Sequence, residues 1–147
     1  MENATQARFA GVWTVSREIE DFAVGQSGRF RGLVRLTPEG DGLRYAEHGS
    51  LILGAAKMQA TRVYLWHPLG PTQVQVLFED GRPFHRFDWG QVISSDSHQC
   101  EDDTYTVRYN FGDERWHAHW RVRGPAKDYA ATSLYLRPIP GDVALSR

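Results

Sequence analysis

The sequence predicts an all-β domain: a closed antiparallel up-and-down β-barrel of eight to ten strands with a short helix at the N-terminus. Three observations carry this. Apolar residues recur with a period of two along most of the chain, the spacing of a half-buried strand and not of a helix. Turn-forming residues interrupt that pattern roughly every 8 to 12 positions. Helical character is confined to a segment around Thr5 to Phe9. Hairpin-linked strands in a single small domain have two economical arrangements, a sandwich or a barrel, and only closure removes both sheet edges.

Residues 1–10 are expected to form a helical cap on a single barrel domain spanning 1–147, with 138–147 as a C-terminal tail. Nine strands are readable, at 12–20, 28–37, 42–52, 57–67, 72–79, 83–89, 104–111, 115–123 and 127–137. Their separators are rich in Gly, Pro and Asp, and Asp80-Gly81 and Gly112-Asp113 predict tight two-residue hairpins. Alternation assigns the faces. In the first strand Trp13, Val15, Arg17 and Ile19 share one side, followed by Phe30, Gly32, Val34 and Leu36 in the second. Tyr45, Glu47 and Leu51 then share a face, as do Met58, Arg62, Tyr64 and Trp66. Val74, Val76 and Phe78 come next, then His85, Phe87 and Trp89, then Tyr105, Val107, Tyr109 and Phe111. In 115–123 the indoles Trp116 and Trp120 oppose Arg115, Arg121 and Arg123, so the indoles go inward; His117 and His119 then face out, and no metal site is expected there. The last strand is apolar on both faces and its orientation stays open.

Composition excludes several roles. Seventeen basic against eighteen acidic side chains leave a net charge of −1, so no global field draws nucleic acid or an anionic membrane. No run approaches the ~18 apolar residues of a membrane span, and the first residues lack a basic stretch followed by an apolar one. The expectation is a cytoplasmic protein. Its lone cysteine, Cys100, cannot form an internal disulfide. No cofactor is expected, and a homodimer is left open.

The segment "FAGVWTVSREI", with Gly11-Val12-Trp13 opening the first strand after a short helix, and Arg137 closing "SLYLR" resemble the calycin or lipocalin-like pattern. That resemblance implies a tryptophan at the barrel floor with the terminal arginine packed over it. A second resemblance runs from Gly11 to Arg137. The segments "YAEHGSL", "RVYLW", "DGRPFHRFD", "HQCEDDTY" and "GPAKDY" are similar to an uncharacterised bacterial family known as domain of unknown function 6314. It implies a lipocalin-like barrel and no particular activity, so function must be argued from the site.

The inward set is unusually polar for a core: Arg17, Glu47, Arg62 and His85 sit among tyrosines. Two readings follow, an interior cavity whose polar groups face a ligand and a closed internal ion cluster. On the first, Arg62-x-Tyr64 holds an acidic group, as similar pairs do in fatty-acid-binding calycins. Arg17, Tyr45, Glu47 and His85 complete the polar end, and Trp66, Phe87, Trp89 and Tyr105 supply apolar walls, with Lys127 and Tyr129 nearby. The expected function is an intracellular binder of a small amphipathic, anionic molecule.

A second constellation, in "HQCEDDTY", is read as a loop leading into a strand. His98, Cys100 and Asp103, with His85, are the catalytic candidates for an alternative reading as a thiol or acid–base enzyme. The commoner fate of such a cysteine is packing as a small hydrophobe, with Asp103 latching to Lys127. A third reading is an interaction module using the outward arginines Arg29, Arg31, Arg35, Arg115, Arg121 and Arg123.

Overall fold

The computed structural model describes residues 2–139. They form α1 (Ala4–Phe9), β1 (Gly11–Asp21), β2 (Gln26–Glu39), β3 (Gly42–Leu53), β4 (Ala56–Pro68), β5 (Gln73–Phe78), β6 (Pro83–Asp88), β7 (Ile93–Cys100), β8 (Asp103–Gly112), β9 (Arg115–Arg123) and β10 (Asp128–Leu136). One antiparallel sheet holds all ten strands in the order β6-β5-β4-β3-β2-β1-β10-β9-β8-β7. The first and last strands pair from Thr14↔Leu136 to Asp21↔Tyr129, which curls the sheet into the predicted up-and-down barrel. Most of the C-terminal tail expected at 138–147 lies outside the described residues.

Closure is incomplete at one seam. Between β6 and β7 side chains replace a backbone ladder: the Arg86 amide donates to Asp96 Oδ2 at 2.7 Å and the Asp88 amide to Ser94 Oγ at 2.9 Å. β7 corrects the sequence reading, in which His98 and Cys100 belonged to a loop; they lie in a tenth strand paired with β8 from Ile93↔Asn110 to Cys100↔Asp103. The strand was hidden because its partly buried face carries Ser94, Asp96 and His98, polar residues that satisfy the seam or pack beside it, so no apolar alternation marks it.

Two turns also differ from expectation. The β8–β9 turn is Asp113-Glu114, one residue later than predicted, because Gly112 pairs with Arg115 and Glu114 takes the left-handed conformation at φ 56°. Asp80-Gly81 does not make a two-residue hairpin. The loop runs from Phe78 to Pro83, closed by the Phe78 amide on Arg82 O at 2.8 Å and the Gly81 amide on Phe78 O at 2.9 Å. Register slips beside it: Val76 faces His85 but Leu77 faces Pro83, leaving Phe84 as an extra, bulged residue. Phe84 and His85 are consequently both buried, where strict alternation predicts one.

α1 plugs the floor. Asn3 and Gln6 form a capping box, each side chain accepting from the other's amide at 3.0–3.1 Å. Gln6 Nε2 also donates to Gly40 O and Gly42 O, fixing the helix to the β2–β3 turn. Phe9 is thereby driven into the barrel, fully buried, with its ring edge-on to Trp66, Trp116 and Phe111 at 5.3–6.1 Å between centroids. Burial of one such ring contributes about 1.5–3 kcal/mol. Trp13 donates its indole N–H to Phe9 O at 2.9 Å, and the Arg137 guanidinium lies 3.9 Å from the Trp13 ring centre. Arg137 also donates to Arg8 O and Ala10 O, so the segment leading into β1 and the residue that follows β10 are tied together at the floor. Gly11, at φ 117°, is needed there because a Cβ would press on the Arg137 guanidinium.

Above the plug the lower interior is solid with Leu36, Leu43, Trp66, Phe87, Phe111 and Trp116. The open orientation of the last strand resolves with Ala131, Ser133 and Tyr135 buried and Tyr129 on their face. Trp116 is buried on the opposite face of β9 from His117 and His119, whose rings stack outside at 5.9 Å. No helix among the described residues is long and apolar enough to cross a membrane.

Candidate functional site

The upper half of the barrel is built from three strand registers that bring unlike side chains together. Pairing of β3 with β4 sets Glu47 opposite Arg62 and Tyr45 opposite Tyr64. Pairing of β1 with β10 sets Arg17 opposite Ser133. β9 lies between β8 and β10, placing Trp120 beside Val107 and Ala131.

Arg17 and Glu47 form a closed pair. Both are about 95% buried, at 5% and 4% exposure, where an isolated charge would be prohibitive. The pair is bidentate: Arg17 Nη1 and Nη2 donate to the two Glu47 oxygens at 3.0 and 2.8 Å. Arg17 Nε donates to Ser133 Oγ at 2.7 Å, and its guanidinium lies 5.2 Å from the Phe30 ring centre. Glu47 Oε1 also accepts from the Tyr45 hydroxyl at 2.6 Å, and Tyr45 meets the Tyr135 hydroxyl at 2.9 Å. Burial works against ionisation of Glu47, but the Arg17 guanidinium, by hydrogen bond and by charge, with help from Arg62 and Tyr45, holds the carboxyl below its usual range. Burial pushes the Tyr45 and Tyr109 hydroxyls well above theirs.

Arg62 is different. Its nearest carboxylate oxygen, Glu47 Oε2, is 3.9 Å away and already accepts from Arg17, and its side chain remains 45% exposed. Two guanidiniums therefore share one carboxylate, leaving one positive charge in excess. Arg62 lines a half-open cavity of about 280 Å³, at the small end of ligand sites. Its lining is part aliphatic, from Ile19, Leu51, Leu53 and Ala131, and part aromatic, from Tyr64, Phe84, Tyr105, Trp120 and Tyr129. Asp21 stands at the rim, its carboxylate accepting from the Ala23 amide. Below lies a recess of about 30 Å³, room for one water. Arg62, Tyr64 and Trp120 line both spaces and so form the throat between them. Among the described residues the Arg62 guanidinium, the Tyr64 hydroxyl and the Trp120 indole N–H have no hydrogen-bond partner.

The residues expected at the site divide into groups. Arg17, Arg62, Tyr64, Tyr105 and Tyr129 line the cavity. Tyr45, Trp66 and His85 reach only the recess, and Glu47 lies behind Arg17. Phe87 and Trp89 are not cavity walls, correcting that expectation: Phe87 belongs to the solid floor, and Trp89 donates its N–H to Thr5 beside the plug. Lys127 is at the exposed rim, donating to the Tyr105 hydroxyl at 2.8 Å, with Asp103 Oδ2 at 3.6 Å, the latch anticipated between them. Cys100 is exposed at the β7–β8 hairpin and not packed as a small hydrophobe. His98 packs against Phe84 and Phe78, at 5.3 and 6.0 Å between ring centres. His85 Nε2 shares a 2.7 Å hydrogen bond with the Tyr109 hydroxyl while Nδ1 is buried without a partner. Burial lowers the His85 pKa to about 3 against an opposing pull from the Asp96 carboxylate and with a smaller push from His98, so the ring is neutral.

Phe84 and Trp120 are the important wall residues that sequence reasoning did not assign to the site. Phe84 was concealed by the bulge; Trp120 was read as inward, but no polar motif distinguished it from core. Among the described residues no cluster of three or more His, Cys, Asp or Glu is arranged to hold a metal.

No curated protein and no solved structure matches this chain. A family model does match, over residues 9–137. That span begins at Phe9, which plugs the floor, and ends at Arg137, which seals it, so the match takes in the whole barrel with its cavity: the chain belongs to the Family of unknown function (DUF6314).

Proposed function

We propose that this protein is an intracellular, calycin-type carrier of a small amphipathic anion, held in the 280 Å³ cavity with its acidic group at the throat. The observation that carries the reading is the Arg62 guanidinium, a positive charge in excess of the one buried carboxylate, beside an unpartnered phenol in a cavity whose walls are largely aliphatic and aromatic and whose rim carries Asp21. A carboxylate or sulfonate there would accept charge-assisted hydrogen bonds from Arg62 and Tyr64 without competing for Glu47, which Arg17 and Tyr45 already occupy. The packing of Arg137 on Trp13 after Gly11 supports the calycin kinship, and a single exposed thiol suits a reducing compartment.

The test is titration with 1-anilinonaphthalene-8-sulfonate, a fluorescent amphipathic anion. Saturable binding is expected, weakened in Arg62→Ala by about 30- to 150-fold, the equivalent of a charged hydrogen bond worth about 2–3 kcal/mol. The circular dichroism spectrum should be unchanged. Wild-type protein that shows no saturable binding, or equal affinity in the variant, removes the reading.

A further inference from the structure

We propose that the ligand is a flat aromatic acid of one or two fused rings, bound by stacking on Trp120. This rests on the anion-carrier reading and narrows it. Three rings form a near-parallel stack against the cavity: Phe78 on Phe84 at 4.5 Å and 20°, and Phe84 on Trp120 at 5.1 Å and 14°. Phe84 has both faces covered by these neighbours. Trp120 ends the stack; it is only partly buried and lines the cavity. His85, the other ring touching Trp120, meets it perpendicular at 87° and is likewise perpendicular to Phe84, which places it beside the stack and not on its end. The same cavity is lined by Leu51 and Leu53 from β3, aliphatic side chains against which the second face of a flat molecule would rest.

Depth selects against an extended chain. Beneath the throat only about 30 Å³ remains, closed below by Trp66 and Trp116, so an acid seated on Arg62 has its whole body in the half-open cavity above, where a long acyl tail would run out through the mouth into water. A short, wide molecule with its carboxylate on Arg62 and its ring at the height of Trp120 uses both the free charge and the free ring face. Aromatic stacking adds to simple area burial, whereas a saturated ring system of the same skeleton offers more apolar surface and no π-face. The hydrophobic effect alone therefore ranks the saturated acid higher, and a preference for the aromatic one is diagnostic.

The experiment compares naphthalene-2-carboxylate, trans-decahydronaphthalene-2-carboxylate and uncharged 2-methylnaphthalene by isothermal titration calorimetry on the full chain. Expected is at least a tenfold preference for the aromatic over the saturated acid. Trp120→Leu, or Trp120→Met should that variant misfold, should reduce the preference to under threefold, because either removes the ring face and keeps an apolar side chain. Equal or tighter binding of the saturated acid by the wild-type protein overturns the stacking inference and leaves the anion-carrier reading standing. Equal binding of 2-methylnaphthalene and the naphthoate would instead sink the anion reading and keep the stack. Failure of all three to bind overturns both.

Discussion

Replacing Glu47 with Gln keeps the shape of the side chain and deletes its charge, and it should be among the most damaging single changes in the barrel. In the native protein Glu47 is 4% exposed and accepts three short hydrogen bonds, at 3.0 and 2.8 Å from Arg17 and 2.6 Å from Tyr45. Its removal leaves Arg17, 5% exposed, without a counter-charge and places Arg62 against an unopposed like charge. Breaking a buried pair from one side costs about 3–5 kcal/mol, against a total stability of about 5–15 kcal/mol for a domain of this kind. At roughly 2–4 °C per kcal/mol for a chain of this size, Tm should fall by about 6–20 °C. Urea unfolding followed by tryptophan fluorescence measures the loss directly. The double variant Arg17→Met with Glu47→Leu removes both charges and should recover to within about 1 kcal/mol of wild type or better. A loss under about 1 kcal/mol in Glu47→Gln, or a double variant less stable than the single one, would refute the argument that the pair is held by mutual compensation. The pH dependence has a fixed sign. The folded-state pKa of Glu47 is depressed, so its stabilising contribution is complete above the ordinary carboxyl range and is lost as pH falls through the lower folded value.

Arg137→Lys should destabilise almost as much as Arg137→Ala, by about 2–3 kcal/mol in thermal unfolding, because a lysine cannot both cover the Trp13 face and reach the Arg8 and Ala10 carbonyls; full rescue by lysine would show that charge alone matters. His85 gives a second pH signature: the unfolded chain takes up a proton near 6.5 and the folded one only near 3, so stability declines as pH drops between those values. His85→Gln should flatten that part of the Tm-against-pH curve, and an unchanged slope would contradict a buried neutral ring. Asp96→Ala removes the acceptor for the Arg86 amide at the seam, and hydrogen exchange at Arg86 should accelerate at least tenfold while β3 amides are unaffected; unchanged exchange would mean that the seam is closed by something other than these side chains.

Much of this fold was legible because the barrel repeats one rule. Wherever a strand's inward side chains are apolar, as with Trp13, Val15, Phe30, Val34, Trp116 and Ala118, alternation alone located it. The rule failed where side chains do the work of backbone. β7 spends Ser94 and Asp96 on the amides of β6, so its sequence carries no apolar rhythm, and His98 and Cys100 were read as loop. It failed again at the β5–β6 bulge, where one extra residue turns both Phe84 and His85 inward. At the site, alternation placed Arg17, Glu47 and Arg62 on the inner face but could not apportion the single carboxylate. Register decides it: Glu47 lies directly across from Arg62 in β3 and β4, yet its oxygens are taken by Arg17, from β1, through both terminal nitrogens.

That division reconciles the two interpretations that the polar interior allows. A structural ion cluster and a ligand cavity make opposite demands on a charge: the first requires every donor to be satisfied within the protein, the second requires one to be left over. Arg17 meets the first demand, with donors spent on Glu47, Ser133 and Tyr135 and one face against Phe30. Arg62 meets the second, held 3.9 Å from an occupied carboxylate and open to a cavity large enough for a ligand. A leucine at the same position would suit folding better, since it would join Ile19, Leu51 and Leu53 and incur no desolvation cost. A guanidinium here is what the anion-carrier proposal requires: a charge left partly exposed beside a cavity, with donors that no acceptor among the described residues takes up.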